Sequence, residues 1–172
     1  LTGTPVSAEL PVYGTKVMAC RERTLDLHGA PIARSWTRLA LTAAAGADTI
    51  SLLEPVDWAA GSALVVASPS FEASEAGEAP VVGVEAGGTR LRLAAPLRFE
   101  HDGRTVGIAG HSIELRAEVG LLSRNVVVQG DASSAPSQFG ATIMLHSEGD
   151  NSLIGRLENI EVRNAGQSFR LD

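Results

Sequence analysis

The chain contains few cysteine, lysine and aromatic residues and no long apolar run. Its 172 residues include one cysteine, Cys20, and one lysine, Lys16, and aromatic residues make up only 4% of the total. A single thiol excludes an internal disulfide framework but does not decide the redox compartment. No run of 18 apolar residues is present, so no membrane span is expected within this chain.

Positive charge is also scarce. The net charge is −6, from 20 acidic and 14 basic residues. Without a basic run or an aromatic platform, the sequence argues against a nucleic-acid partner. The first residues lack the basic and apolar regions of a signal peptide. No Asn has Ser or Thr two positions later, so no N-linked glycan is expected.

What the chain does contain is a repeat of short apolar alternations. Residues 125–129 read Asn-Val-Val-Val-Gln, and residues 159–163 repeat the pattern 34 positions later as Asn-Ile-Glu-Val-Arg. A further alternation, Ile143 and Leu145, lies about midway between them. Short strands at regular intervals, each preceded by Asn, predict an all-β fold made of parallel β-helix coils. The main alternative is a β-sandwich with hairpin connections.

The repeat also predicts which residues meet. Corresponding positions of neighbouring coils are expected to stack: Val126 on Ile160, Val128 on Val162, and Asn125 on Asn159. Ile143 and Leu145 should face the same interior from a different sheet, while Val127 and Glu161 should point outward. The two Asn side chains are expected to be structural and to bond backbone groups at the bends.

The distribution of strands and turns predicts four segments. Residues 1–29 hold the first strands, 30–47 form a connector, 48–112 form a small antiparallel β insertion with a link, and 113–172 form the coils. Within the insertion, Gly- and Pro-containing turns separate strands predicted at 49–53, 63–68, 81–85 and 89–94. The coils are expected to begin with the alternation of Ile113 and Leu115. Because a β-helix does not end on a bare coil, we expect the chain to be a piece of a larger protein.

Several motifs in a fixed order resemble the fibrocystin family. They are PVYGTKV at 11–17, TLDLHG at 24–29, SWTRLA at 35–40, EPVDWAAGSALVVAS at 54–68, RAEVGLLSRNVVVQGD at 116–131 and ENIEVRNAGQ at 158–167. Similar modules occur in the cell-migration-inducing hyaluronidase and its transmembrane relative. The resemblance covers nearly the whole chain. It implies a right-handed, pectin-lyase-like parallel β-helix with a small antiparallel insertion, preceded within residues 1–29 by the end of a G-eight β module.

The same resemblance implies a location and partners. The family is extracellular or at the cell surface, including the ciliary surface, so Cys20 is expected to be buried and free or paired outside this segment. Expected partners are the rest of the larger chain, neighbouring copies of the protein and extracellular glycans. The family commonly continues after the Asn-Ala-Gly-Gln type motif with a His-containing stretch, whereas here only residues 168–172 follow Gln167, so the resemblance lends no support to an enzymatic function.

For each candidate site we favour a structural explanation over a functional one. Surface or turn positions, rather than metal ligation, are predicted for the four histidines: His28, His101, His111 and His146. A solvated turn, rather than a calcium site, is predicted for Glu148, Asp150 and Asn151. Solvated outward positions, rather than a glycosidase pair, are predicted for Glu114, Glu158 and Glu161. Core packing is predicted for Trp36 and Trp58, with a sugar-stacking surface as the alternative.

The sequence therefore predicts no catalytic, metal-binding or cofactor-binding residue. The leading hypothesis is a non-catalytic structural segment of a large fibrocystin-like protein, with the β-helix acting as a rigid rod and contact surface. A segment of a hyaluronan-degrading enzyme and a glycan-binding module without chemistry remain as alternatives.

Overall fold

A computed structural model describes residues 1–3, 13–68 and 70–168. Within these residues the chain forms fourteen strands and one short α-helix, so the all-β prediction is confirmed. Contacts divide the chain into a split unit, residues 1–31 with 124–172, and an inserted unit, residues 32–123. Residues 4–12, which include the start of the predicted G-eight segment, lie outside the described residues.

The strands are β1 (Val17–Arg21), β2 (Thr24–His28), β3 (Trp36–Arg38), β4 (Thr49–Ser51), β5 (Ala63–Val66), β6 (Gly77–Glu85), β7 (Arg90–Leu93), β8 (Thr105–Ile108), β9 (His111–Glu114), β10 (Glu118–Leu121), β11 (Val126–Gln129), β12 (Thr142–His146), β13 (Ile154–Glu158) and β14 (Ile160–Arg163). The helix α1 (Ser134–Ser137) lies between β11 and β12. Two short 3-10 turns flank β6.

In the split unit, three strands pair in parallel with three later strands in the same order. β1 pairs with β12, β2 with β13, and β11 with β14. Val126 lies opposite Ile160 and Val128 lies opposite Val162, so the predicted register of the repeat is confirmed. Parallel strands need a long crossover connection, which excludes a hairpin between β11 and β14.

Burial in these pairs follows the prediction at Val128 but not at Val162. Val128 is 6% exposed, whereas Val162 is 48% exposed. β14 belongs to a two-stranded sheet, so no described strand pairs with its other edge. Leu145, also predicted to face the interior, is exposed in the two-stranded sheet of β1 and β12. Ile143 and Ile160 are half-buried.

The prediction that Glu161 points freely into solvent is wrong. Its side chain is only 14% exposed, and its Oε1 pairs with Nε of Arg163. Its Oε2 accepts a hydrogen bond from the backbone N–H of Arg124 at 3.3 Å. The carboxylate therefore folds back onto the chain. Val127, by contrast, is 40% exposed, as the alternation predicts.

The inserted unit is a curled antiparallel sheet of six strands in the order β3-β10-β5-β6-β7-β4. Its two end strands meet. The N–H of Ala40 donates to the carbonyl of Ser51 at 2.8 Å, and the N–H of Leu53 donates to the carbonyl of Arg38 at 2.9 Å. This agrees with the small antiparallel β insertion predicted from the sequence.

The main hydrophobic core lies inside this curled sheet. It contains alternate residues of the strands, including Ile50, Leu64, Leu91 and Val119, together with Leu39 immediately after β3. Because strand side chains alternate between faces, the intervening residues point away from this core. The main core therefore lies entirely within residues 32–123.

The predicted segment boundaries need correction at both ends of the insertion. Residues 30–47, expected to be a connector, contain β3, which pairs with β10. Ile113, expected to begin the coils, lies in β9, which pairs antiparallel with β8. β10 also pairs antiparallel, with β5. An alternation of apolar and polar residues indicates that one face of a strand is buried. It does not distinguish a parallel partner strand from an antiparallel one.

Hydrogen bonds join the two segments of the split unit next to the position where the insertion begins. The N–H of Gly29 donates to the carbonyl of Glu158 at 2.9 Å, and the N–H of Ala30 donates to Oδ1 of Asn125 at 2.6 Å. A Cβ atom on Gly29 would lie 1.9 Å from the carbonyl oxygen of Asn159, so only glycine fits. Asn125 thus bonds a backbone group at a bend, as the repeat predicts. Asn159 has φ of 50°, a left-handed conformation that Asn tolerates.

Candidate functional site

In the split unit, the only lysine of the chain is enclosed by hydrogen-bond acceptors. Lys16 immediately precedes β1, and its side chain is fully buried. Its Nζ donates to Oδ1 of Asp131, to the hydroxyls of Ser133 and Ser134, each at 3.0 Å, and to the carbonyl of Phe139 at 2.9 Å. The ammonium is thus enclosed by acceptors from residues 131–139, the segment that contains α1.

Hydrogen bonds favour the ionised form of Asp131. Its pKa is lowered to about 2, first by the hydroxyl of Ser133 and then by Lys16. The Ser133 hydroxyl donates to Oδ1 at 2.6 Å and the Ser133 N–H donates to it at 3.0 Å. An ammonium paired with a carboxylate has no lone pair to offer a substrate. The arrangement therefore fastens residues 131–139 to the start of β1 and does not constitute a nucleophile.

An open groove of about 430 Å³ lies beside this cluster. Ser134 contributes to its wall, together with small and amide side chains that include Gln138, Asn164 and Gln167. Nε2 of Gln167 donates to the carbonyls of Thr15 at 2.9 Å and Gly140 at 3.1 Å. The groove is polar and carries no charged side chain in its lining. No pattern in the sequence predicts the Lys16 cluster, and the only signal that could have pointed to it is the scarcity of lysine.

The structure disagrees with the surface position predicted for His101. This side chain is fully buried in the inserted unit. Its Nδ1 lies 3.1 Å from the carbonyl of Ala67, and its Nε2 has no hydrogen-bond partner. A Cβ atom on Gly77 would lie 3.5 Å from Nε2. His101 therefore packs as a core residue tied to the end of β5.

The other three histidines do not converge. His28 is half exposed, with Nδ1 3.1 Å from Glu158 and Nε2 paired with Asp26. The His146 ring contacts the edge of Tyr13, with centroids 6.0 Å apart, and His111 is exposed on β9. Across the described ranges, no group of three or more His, Cys, Asp or Glu side chains is placed to hold a metal ion. Cys20 is a half-buried free thiol.

The acidic turn near residue 150 has internal bonds. Oδ1 of Asp150 accepts the N–H of Ser152 at 3.0 Å, and hydrogen bonds from Ser152 lower the pKa of the Asp150 carboxyl. Glu148 pairs with Arg21 at 2.7 Å. Asn151 has φ of 62°. The oxygen atoms that could have suggested calcium thus serve a turn and an ion pair.

The three carboxylates considered as catalytic candidates each lie beside an arginine or a histidine. Glu158 lies against His28 and Glu161 pairs with Arg163. Glu114 pairs with Arg38 and, at 3.4 Å, with Arg116. Glu114 belongs to the inserted unit and the other two belong to the split unit. Since a glycosidase needs two carboxylates at a defined separation, these three side chains, each engaged by a different neighbour, do not form a recognisable pair.

The two tryptophans have opposite environments. Trp58 is 3% exposed and lies in the core, where its Nε1 donates to the carbonyl of Arg34 at 2.7 Å. Trp36 is 50% exposed, so its predicted core position is wrong. The neighbouring Thr37 and Leu39 are fully buried, and alternation along β3 therefore turns Trp36 outward. The Arg38 guanidinium lies 5.6 Å from its ring centroid.

No helix in the described part of the chain is long and apolar enough to cross a membrane. None of the known protein-family profiles matches the chain. Its similarities therefore come from comparison with individual proteins.

Among curated proteins, the chain is 39% identical over 202 residues to fibrocystin-L of Mus musculus, covering 96% of this chain and 5% of that protein. It is 35% identical over 143 residues to fibrocystin of Canis lupus familiaris, covering 83% of this chain and 4% of that protein. A G8 domain-containing protein of Dictyostelium discoideum is 32% identical over 148 residues, covering 85% of this chain and 12% of that protein. The chain thus spans only a small part of the length of these relatives.

Among solved structures, the chain is similar to the gp54 tailspike of Acinetobacter baumannii bacteriophage AP22. The sequence identity is 10%, the TM-score is 0.39, and the match covers 86% of this chain and 24% of the tailspike. A likeness at this TM-score supports no inference about function.

Proposed function

Because the chain belongs to the fibrocystin family, as a homologue of fibrocystin-L and fibrocystin, we propose that it is a non-catalytic structural segment of a large fibrocystin-like protein. The strands of the split unit form coils of a right-handed parallel β-helix that follow the end of a G-eight module. The inserted unit interrupts one of these coils. These coils act as a rigid rod and contact surface outside the cell or on its ciliary surface.

One observation carries this proposal: β1, β2 and β11 pair in parallel with β12, β13 and β14, in that order. This order is what two successive turns of one β-helix require. The first turn is made of β1, β2 and β11, and the second of β12, β13 and β14. In such a stack each turn hydrogen-bonds to its neighbours along the rod, so bending the rod requires many backbone bonds to break together.

The Lys16 cluster supports the structural role. The segment between β11 and β12 leaves the first turn and must return to start the second. Four acceptors of that segment lie within 3.0 Å of one buried ammonium, whose three N–H groups they share, and this holds the segment at a fixed position. A non-catalytic role is consistent with the contacts of the candidate carboxylates, Glu158 with His28 and Glu161 with Arg163.

Two variants of the full-length protein test the structural role. Val128→Asp places a carboxylate at a buried position of β11, and Val127→Asp places it at the neighbouring exposed position. If the coils form a scaffold, the first variant should reduce the amount of protein at the cell surface, measured by surface labelling, and the second should not. Equal effects of the two would contradict a stacked β11.

The catalytic alternative is tested separately with hyaluronan. Purified full-length protein should leave the length of hyaluronan chains unchanged, as measured by gel electrophoresis. Shortening of the chains that is abolished by Glu158→Gln or Glu161→Gln would assign this segment to a hyaluronan-degrading enzyme and would overturn the proposal.

A further inference from the structure

The outer face of the inserted unit carries a shallow trough beside the exposed Trp36. Trp36 lies opposite Gly120 on β10, and Gly120 lies opposite Val65 on β5. Directly opposed residues of antiparallel strands share a face, so these three positions form one row across the sheet. Since Gly120 has no side chain, the backbone of β10 forms the floor between the indole and the Val65 methyl groups.

The dimensions of the trough suit a flat ring. Neighbouring strands lie roughly 4.8 Å apart, so the two walls stand on strands about 10 Å apart. One side of the indole is occupied by the Arg38 guanidinium, 5.6 Å from the ring centroid, and Trp36 as a whole is half exposed. A pyranose ring presents C–H groups on one face, and these pack favourably on the electron-rich face of an indole.

Polar groups surround this apolar floor. Val65 lies opposite Glu78 at one end of the row, and Arg38 lies opposite Glu118 in the next row. Glu114 holds Arg38 in an ion pair and also contacts Arg116. Carboxylates and guanidiniums at the rim of an aromatic surface can accept from and donate to the hydroxyl groups of a sugar.

The charge of this rim selects among saccharides. Two guanidiniums, from Arg38 and Arg116, stand against three carboxylates, from Glu78, Glu114 and Glu118. The whole chain has a net charge of −6. A polyanionic ligand would therefore be repelled, whereas an uncharged one would not.

We propose that the Trp36 trough binds a neutral saccharide by stacking one pyranose ring on the indole over Gly120. The proposal is independent of the structural role of the split unit, because every residue of the trough belongs to the inserted unit. It assigns a binding partner to a surface that a scaffold function does not use.

The test uses the whole 172-residue chain with trimers of N-acetylglucosamine and of mannose and with lactose as neutral probes, and with a hyaluronan hexamer as the anionic probe. The indole N–H resonances of Trp36 and Trp58 are followed by NMR during titration. At least one neutral probe should shift the Trp36 signal saturably, while the buried Trp58 provides an internal reference. Hyaluronan should bind more weakly.

Three variants locate the site. Trp36→Ala should weaken binding by at least about tenfold, as truncation of a central aromatic anchor does. Gly120→Val should also weaken it, because the added side chain fills the floor, and a Cβ there meets only Val65 Cγ1 at an ordinary 3.5 Å. Phe71→Ala removes a fully exposed aromatic elsewhere on the unit and should leave binding unchanged.

Several results would overturn the proposal. One is the absence of any saturable Trp36 shift with the neutral probes at millimolar concentration. Others are binding that survives both Trp36→Ala and Gly120→Val, and tighter binding of hyaluronan. Concentration-dependent self-association that covers Trp36, seen by sedimentation, would instead identify a second copy of the chain as the occupant.

Discussion

The backbone N–H of Ala30 donates a 2.6 Å hydrogen bond to Oδ1 of Asn125, across a sequence separation of 95 residues. Between them lies the inserted unit, which therefore leaves the split unit and returns to it at nearly one point. Domains whose ends lie close together tolerate insertion into a host fold and separation from it.

We expect residues 32–123 to fold when expressed alone. Every member of the main hydrophobic core lies within this range, and the end strands of its sheet are joined by backbone hydrogen bonds. Urea unfolding should be a single cooperative transition, and the NMR spectrum should be well dispersed. A fragment with broad, undispersed resonances would show that the unit depends on its host.

An introduced charge should destabilise the chain to different degrees at two neighbouring positions of β11. Val128→Asp buries a carboxylate without a partner, which costs several kcal/mol, about 3 or more, while Val127→Asp should cost about 1 kcal/mol or less. Urea unfolding of the whole chain measures both. Similar costs at the two positions would contradict the burial of β11 described above. The substitution Ile160→Asp, at a half-buried position, should have a cost between these two.

Lys16 and Asp131 should be unequal partners. Asp131→Asn leaves the fully buried ammonium without its counter-charge, whereas Lys16→Met leaves a carboxylate that is partly exposed and can be hydrated. The urea midpoint should therefore fall further for Asp131→Asn than for Lys16→Met. The double variant should be more stable than Asp131→Asn alone, because it no longer contains an unpaired buried charge.

The pair of Lys16 and Asp131 also makes the stability of the folded chain depend on pH. The pKa of Asp131 is about 2 in the folded chain, below its ordinary value of 3.8. The stabilisation from this group is complete above about pH 4 and is lost as the pH falls towards 2. The stability difference between the natural chain and Asp131→Asn should therefore shrink between pH 4 and pH 2. NMR titration of the Asp131 carboxyl should place its midpoint near 2, and an unshifted midpoint would contradict the hydrogen bonds from Ser133 and Lys16.

Truncation of the two tryptophans should separate core from surface. Trp58→Ala removes a core side chain and its hydrogen bond to Arg34, at a cost of about 3–5 kcal/mol. Trp36→Ala removes an exposed ring and one cation–π contact, at a cost of about 1 kcal/mol or less. Thermal unfolding of each variant distinguishes the two environments.

The 34-residue repeat predicted the register of β11 with β14 because side-chain alternation and spacing together leave one alignment of Val126 with Ile160. It did not predict the boundary of the insertion, because the alternating pattern around Ile113 is the same in a hairpin as in a coil. The sequence did not predict the exposure of Trp36, because the phase of β3 is set by the burial of Thr37 and Leu39, which turns the indole outward. Lys16 was missed because its acceptors lie more than a hundred positions away, and no local pattern records them.

The junction at Ala30 and Asn125 also bears on the order in which the chain folds. Closing a loop becomes entropically more costly as the loop lengthens, and contacts between distant positions form slowly. If residues 32–123 fold first, the pairing of β3 with β10 holds the two ends of this range together. The loop that remains to be closed between β2 and β11 then contains only a few residues. Folding of the inserted unit would then be the step that allows β2 and β11 to meet β13 and β14, so a variant that slows its folding should delay the parallel pairs as well.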